Sequence, residues 1–189
     1  MMTSKPVLSI FLIIVLSFTV VIAGGASDYN KALDLIKEGE IDKAGALLLP
    51  IAENESGDIG SAALDLAGAI GIGGNDADGL YIYGLSLLKM ADGDYTNAID
   101  ILKKADFKGG LKEYGLEALG RCYQKKLMWE EALNIYRTLY KSASMDRKLW
   151  YLFYQWQILT MKGDDKKAKE ILNILKESYP EFTGSDINK

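Results

Sequence analysis

The alanine of WEEALNIY, Ala132, has an earlier counterpart in Ala98 of YTNAIDIL, and at that fixed offset the match extends along both flanks. Ile82, Leu85, Ser86, Lys89 and Gly93 pair in order with Leu116, Leu119, Gly120, Tyr123 and Leu127. Tyr95, Ala98, Leu102 and Ala105 then pair with Trp129, Ala132, Tyr136 and Leu139. A closely similar step beyond Ala132 leads to Ala168 of DKKAKEIL, with Gly163 before it, Leu172 and Leu175 after it, and Pro180 closing the unit. Near the start, EGEIDKAGALL repeats the theme with Gly39, Ile41, Ala44, Leu48 and Ile51. Such a period constrains the fold strongly. Each copy is one supersecondary unit that cannot bury its apolar face alone, so the copies must stack.

The residue types at these positions predict helical hairpins. Ser86 and Gly120 fall where two antiparallel helices cross most closely, and Ala98 and Ala132 fill the opposing positions. Only small side chains let the backbones approach there, while Leu, Ile and Tyr neighbours fill the surrounding space. Gly39, Gly93 and Gly163 fall at the turns, where glycine ends a helix by accepting a left-handed conformation. Asp94 and Asp164 then suit the cap of the following helix.

With this pattern the chain resembles the tetratricopeptide repeat family, a helix–turn–helix unit of about 34 residues. The unit from Glu113 supplies Leu116, Leu119-Gly120, Tyr123, Ala132 and Tyr136, and lacks the initial Trp and the closing Pro. The resemblance implies an all-α, tetratricopeptide-like superhelix (an α-solenoid) of about eight helices, whose first helices line a concave groove. Carried across by register, the groove would receive Leu80, Tyr83, Leu87 and Met90 from one unit. Tyr114, Glu117, Arg121 and Gln124 come from the next, and Trp150, Phe153, Gln157 and Met161 from the third. Exposed aromatics with an arginine among them are what binding surfaces enrich. The basic clamp by which some members grip a carboxylate is not supported, because Tyr83 and Leu87 stand at its early positions.

The repeat is uneven. Ala44 and Ala98 lie well over one period apart, and the surplus is SGDIGSAALDLAGAIGIGGNDADG. Ile59 to about Ile70 reads as a helix rich in small residues, followed by a glycine-rich turn over 71–79. The third clear unit carries bulky Trp156 where a small residue is expected. Terminal repeats commonly depart from the pattern.

Composition narrows the chemistry. The 189 residues contain no histidine and one cysteine, which removes the commonest general base, the commonest zinc ligand and any intramolecular disulfide. Net charge is −4, with no basic footprint for nucleic acid. GGNDADG at 73–79 resembles half a calcium loop, yet Gly74 and Leu85 stand where acidic ligands are required, so a polar loop with a helix cap is the better reading. Cys122 reads as a small buried side chain. Asn54-Glu55-Ser56 is a formal glycosylation acceptor.

Residues 1–23 are of a different kind: Lys5 precedes the uncharged run VLSIFLIIVLSFTVVIA, and GGAS follows. That layout is a secretory signal, with an uncleaved membrane anchor as the alternative. Cleavage after Ala23 removes Lys5 alone and leaves a net charge of −5. A repeat domain is expected over 27–182 and a flexible tail over 183–189. The segments DYNKALDLIKEGEIDKA and ILNILKESYPEF resemble exported envelope scaffolds such as the Tol–Pal coordinator and outer-membrane assembly factors. The resulting expectation is a non-catalytic, cofactor- and metal-free scaffold of the cell envelope, periplasmic or otherwise exported. It would bind a protein or peptide, not nucleic acid or a small-molecule substrate, and meet the membrane only through residues 7–23 if these are retained. Self-assembly into a homo-oligomer and a membrane-tethered accessory subunit are the alternatives.

Overall fold

The computed structural model describes residues 24–180, all of them in helices or the turns between them. The expected signal at 1–23 and tail at 183–189 lie outside the described residues. The helices are α1 (24–37), α2 (Ile41–Asn54), α3 (Asp58–Gly73), α4 (Ala77–Ala91), α5 (Tyr95–Lys104), α6 (Leu111–Lys125), α7 (Trp129–Ser142), α8 (Met145–Lys162) and α9 (Asp165–Ser178). No described helix is long and apolar enough to cross a membrane. The chain forms two compact units, one up to Gly93 with α1–α4 and one from Asp94 with α5–α9. Within each unit, successive helices pack on one another as in a helical-repeat solenoid.

The turns form as the repeat requires. Gly39, Gly93 and Gly163 have φ of 82°, 75° and 78°. At Gly39 and Gly163 the next two amides fold back onto the end of the preceding helix: Glu40 N–H donates to Leu35 O, and Asp164 N–H to Leu159 O. The side chains of Asp94 and Asp164 accept from the backbone N–H of Asn97 and Lys167, each at 3.3 Å, and so start α5 and α9.

Leu127, paired with Gly93 by the repeat, makes the same closure, with Met128 N–H donating to Tyr123 O. Its φ is 58°, and it is the one non-glycine residue with positive φ among the described residues. A side chain in this conformation costs about 1–2 kcal/mol. Its side chain is largely exposed (63%), so packing there offsets little of that cost.

In the second unit the hairpin α6/α7 closes at Gly120. A Cβ there would sit 3.0 Å from Tyr136 Cζ and 3.1 Å from Ile135 Cγ2. Ala132 and Tyr136 are fully buried alongside. In the first unit a close approach between helices is at Gly84, where a Cβ would meet Leu33 Cδ2 at 2.5 Å and Leu66 Cδ2 at 2.8 Å. The Tyr29 hydroxyl donates to Gly84 O at 3.0 Å and ties α1 to α4.

The surplus segment differs from expectation at its end. The helix continues past Ile70 to Gly73, and 77–79 are the first turn of α4, leaving 74–76 as the turn. Leu80 lies against Gly73, 3.0 Å from where a Cβ would stand, so helix packing outweighs the low helix propensity of Gly71 and Gly73. Asp76 caps α4 by accepting from Gly79 N–H at 3.0 Å, which is the role a polar loop predicts. α3 is thus one whole added helix, and the described residues hold nine helices where about eight are expected.

Two substitutions test this frame by denaturant unfolding. Gly120→Val should destabilise by about 1–3 kcal/mol through overpacking against Tyr136 and Ile135. Leu127→Gly should stabilise by about 1 kcal/mol through relief of the left-handed strain. A neutral Gly120→Val would contradict the close crossing.

Candidate functional site

A polar cluster of the second unit lies between α6 and α8. Arg147, at the start of α8, reaches two carboxylates one helical turn apart on α6: its Nε is 3.0 Å from Glu113 Oε1, and its Nη2 is 2.5 Å from Glu117 Oε2. The buried Tyr151 hydroxyl lies 2.9 Å from Glu113 Oε1 and 3.0 Å from Glu117 Oε2. It has one proton for two acceptors, so the bonds are shared rather than simultaneous. The guanidinium also sits 5.1 Å from the Tyr114 ring centroid and 5.8 Å from that of Tyr151, within cation–π range.

The electrostatics follow from that packing. Burial pushes the Tyr151 phenol above its ordinary range, and the neighbouring negative Glu117 pushes it further. For Arg147 burial alone would lower the pKa. Tyr151, Glu117 and Glu113 together outweigh it and hold the guanidinium above its usual value. The guanidinium therefore stays charged at every physiological pH and lies between two carboxyl groups. Its effect is to fix α8 on α6, not to move protons.

Beside it opens a cleft of about 260 Å³ lined by Glu117, Arg147, Trp150, Tyr151 and Tyr154. An aromatic ladder continues from it along α8. Tyr136 of α7 lies 5.0 Å from Tyr154 and 6.3 Å from Tyr151, and Phe153 lies between Trp150 (6.2 Å) and Trp156 (5.7 Å). α8 is thus apolar on two sides. Tyr151, Leu152, Ile158 and Leu159 are buried, whereas Trp150 is 53% exposed and Met161 65%. Exposed large apolar side chains grouped on one helix mark interaction sites.

The structure divides the residues expected in the groove. Tyr83 and Leu87 are core side chains of the first unit, 1% and 2% exposed, and Leu80 is buried with them. Their expected exposure is corrected: α3 packs on α4, and α1 reaches it through Tyr29, so α4 is covered on sides that the register alone leaves open. Met90 is half-buried on α4. Tyr114 and Glu117 face α8 through Arg147. Gln124 Oε1 accepts from the Tyr136 hydroxyl at 3.1 Å and so braces the hairpin. Arg121 is half-buried; burial raises the pKa of Tyr136 and Cys122, and the nearby Arg121 charge offsets only part of that rise. Trp150, Phe153 and Gln157 share α8, the first exposed and the others half-buried.

Arg147, Tyr151, Tyr154 and Glu113 were not among the expected site residues. The repeat places Arg147 opposite the buried Leu111 of the preceding unit. A charge at an apolar position, with two glutamates on the neighbouring helix, is the signal that could have marked the cluster.

Cys122 is fully buried, and burial pushes its thiol up to about 12. Among the described residues no group of three His, Cys, Asp or Glu side chains is placed to hold a metal ion.

Residues 151–181 match the family model described as Tetratricopeptide repeat. They cover the body of α8 and all of α9, so this hairpin is similar to a tetratricopeptide repeat. That family is generally non-catalytic and its repeats generally serve protein–protein interaction. Comparisons with curated proteins and with solved structures give no match.

A thiol held this high is inert in the folded chain, because the thiolate is the reactive form. Native protein at pH 8 should not react with Ellman's reagent, and unfolding in guanidinium should release one equivalent of thiol. The folded state keeps its thiol proton above the pH at which the unfolded chain loses it. Stability should therefore fall as pH rises through the window from about 9 to about 12. Rapid labelling of native protein would contradict the buried placement.

Proposed function

We propose that this tetratricopeptide repeat protein is a non-catalytic interaction scaffold, which holds a protein or peptide partner on the exposed side of α8. The observation that carries the reading is the second apolar side of that helix. Trp150 and Met161 are left open while the opposite side is fully packed. The Glu113–Arg147–Glu117 cluster supports it by holding α8 rigidly on α6, so the aromatic side chains are presented without further ordering cost. Tyr and Trp supply large contact areas with few rotatable bonds, which suits them to anchor a partner.

The place of action we propose is the cell envelope, reached by export. Its support is the N-terminal sequence, a lysine followed by an uncharged apolar run and small residues, without a later basic stop signal. Export would leave a chain that begins near Gly24, which mass spectrometry of the native protein reads directly.

The scaffold reading is tested by affinity capture from native envelope, with wild type compared with Trp150→Ala plus Phe153→Ala. Loss of the captured partner, with the helical circular dichroism spectrum and thermal midpoint retained, is the expected outcome. The same partners captured by a folded double variant would remove α8 as the binding surface.

A further inference from the structure

The internal repeat says what kind of body fits against the last hairpin. One unit earlier, α8 lies on α6 and α7 through contacts that can be named. Arg147 meets Glu113, Glu117 and the Tyr114 ring, and the rings of Tyr151 and Tyr154 meet Tyr136. Lys148 lies 5.5 Å over the Tyr140 ring, and Lys162 pairs with Glu130. At the offset that carries Ala132 onto Ala168, the receiving residues become Leu149, Phe153 and Trp150 on α8, and Leu172, Lys176 and Lys166 on α9.

The change in chemistry is specific. Both carboxylates that hold Arg147 are replaced by apolar side chains, Leu149 and Phe153. Tyr136 is replaced by Leu172, which stays apolar, and Tyr140 by the exposed Lys176. The acid that holds Lys162 is replaced by the exposed Lys166. Where the earlier face received a basic helix, this one is apolar in the middle with a lysine toward each end.

We propose that the α8/α9 face seats one further amphipathic helix of a partner protein, apolar along its middle and acidic near both ends. This rests on the scaffold reading above and gives the partner its chemistry. The acids stand at the places that Lys148 and Lys162 hold on α8. At the helical rise those two places are separated by about 21 Å, roughly four turns. An apolar residue stands in the place of Arg147, against Leu149, Phe153 and Trp150. A second copy of this chain is a poorer occupant. It brings the same two lysines and no acid at these six positions. The exposed side of its α1 carries Asn30, Lys31 and Asp34, polar side chains that would lose water against Trp150.

A suitable probe is a labelled peptide of residues 77–92, ADGLYIYGLSLLKMAD. It carries Ala77, Asp78, Tyr81 and Asp92 at the places of Arg147, Lys148, Tyr151 and Lys162. Fluorescence anisotropy with the full chain should show this peptide binding roughly tenfold tighter than its Asp78→Lys, Asp92→Lys counterpart, with the gap closing in high salt. Lys166→Glu plus Lys176→Glu should reverse the preference, and Trp150→Ala should weaken both peptides. Equal binding of the two peptides, or binding of neither, overturns the acidic helix as occupant. So does a concentration-dependent dimer abolished by Trp150→Ala, which would assign the face to a second copy. Envelope capture that depends on Trp150 and Phe153 but ignores the lysine reversals would likewise overturn this inference while leaving the scaffold standing. Capture that depends on none of them would remove the scaffold reading as well.

Discussion

The second unit depends on one close crossing, that of α6 and α7 at Gly120. With no side chain there, Tyr136 and Ile135 lie where a Cβ would stand almost in contact with them. Tyr136 can then reach beyond its own hairpin, bonding back to Gln124 while its ring meets Tyr151 and Tyr154 of α8. One glycine thus sets the depth of α7, and α7 sets where α8 lies. The first unit uses Gly84 in the same way, with Leu33 and Leu66 closing over it and the Tyr29 hydroxyl fixed to its carbonyl.

Much of this was legible in the residues because backbone requirements are local. Gly39 and Gly163 mark turns that need positive φ, and Asp94 and Asp164 mark amides that need a cap, so the hairpins could be counted from those positions. Leu127 shows the limit of that logic. The chain adopts the left-handed turn with the wrong residue type, because Tyr123 and Gln124 still need their carbonyls satisfied and the packing of α7 fixes the direction. α3 was legible as a helix but not in length, because its end is decided by Leu80 packing on Gly73 rather than by propensity.

The candidate site was legible only where burial is a property of the repeat itself. Exposure at a given register depends on which sides of a helix its neighbours cover. α4 has α3 on one side and α1 reaching it through Tyr29, so Tyr83 and Leu87 are inside although their register suggests a groove. α8 packs on α7 and α9 and reaches α6 through Arg147, and Trp150 is left 53% exposed beside them. Arg147 stands where the preceding unit has the buried Leu111, outside the positions that the register assigns to a groove. The charge is tolerated there only because Glu113 and Glu117 lie opposite it. Glu117, expected in the groove, is engaged with Glu113 in holding two helices together.

The central proposal is that the exposed aromatic side of α8 is where this chain meets another protein. Photo-crosslinking from position 150 in native cells tests it directly, with the somewhat more exposed Leu64 of α3 as the reference position. The prediction is an adduct from position 150 with a different protein and none from position 64. Equal labelling from both positions, or adducts from position 150 with lipid or solvent alone, would contradict it.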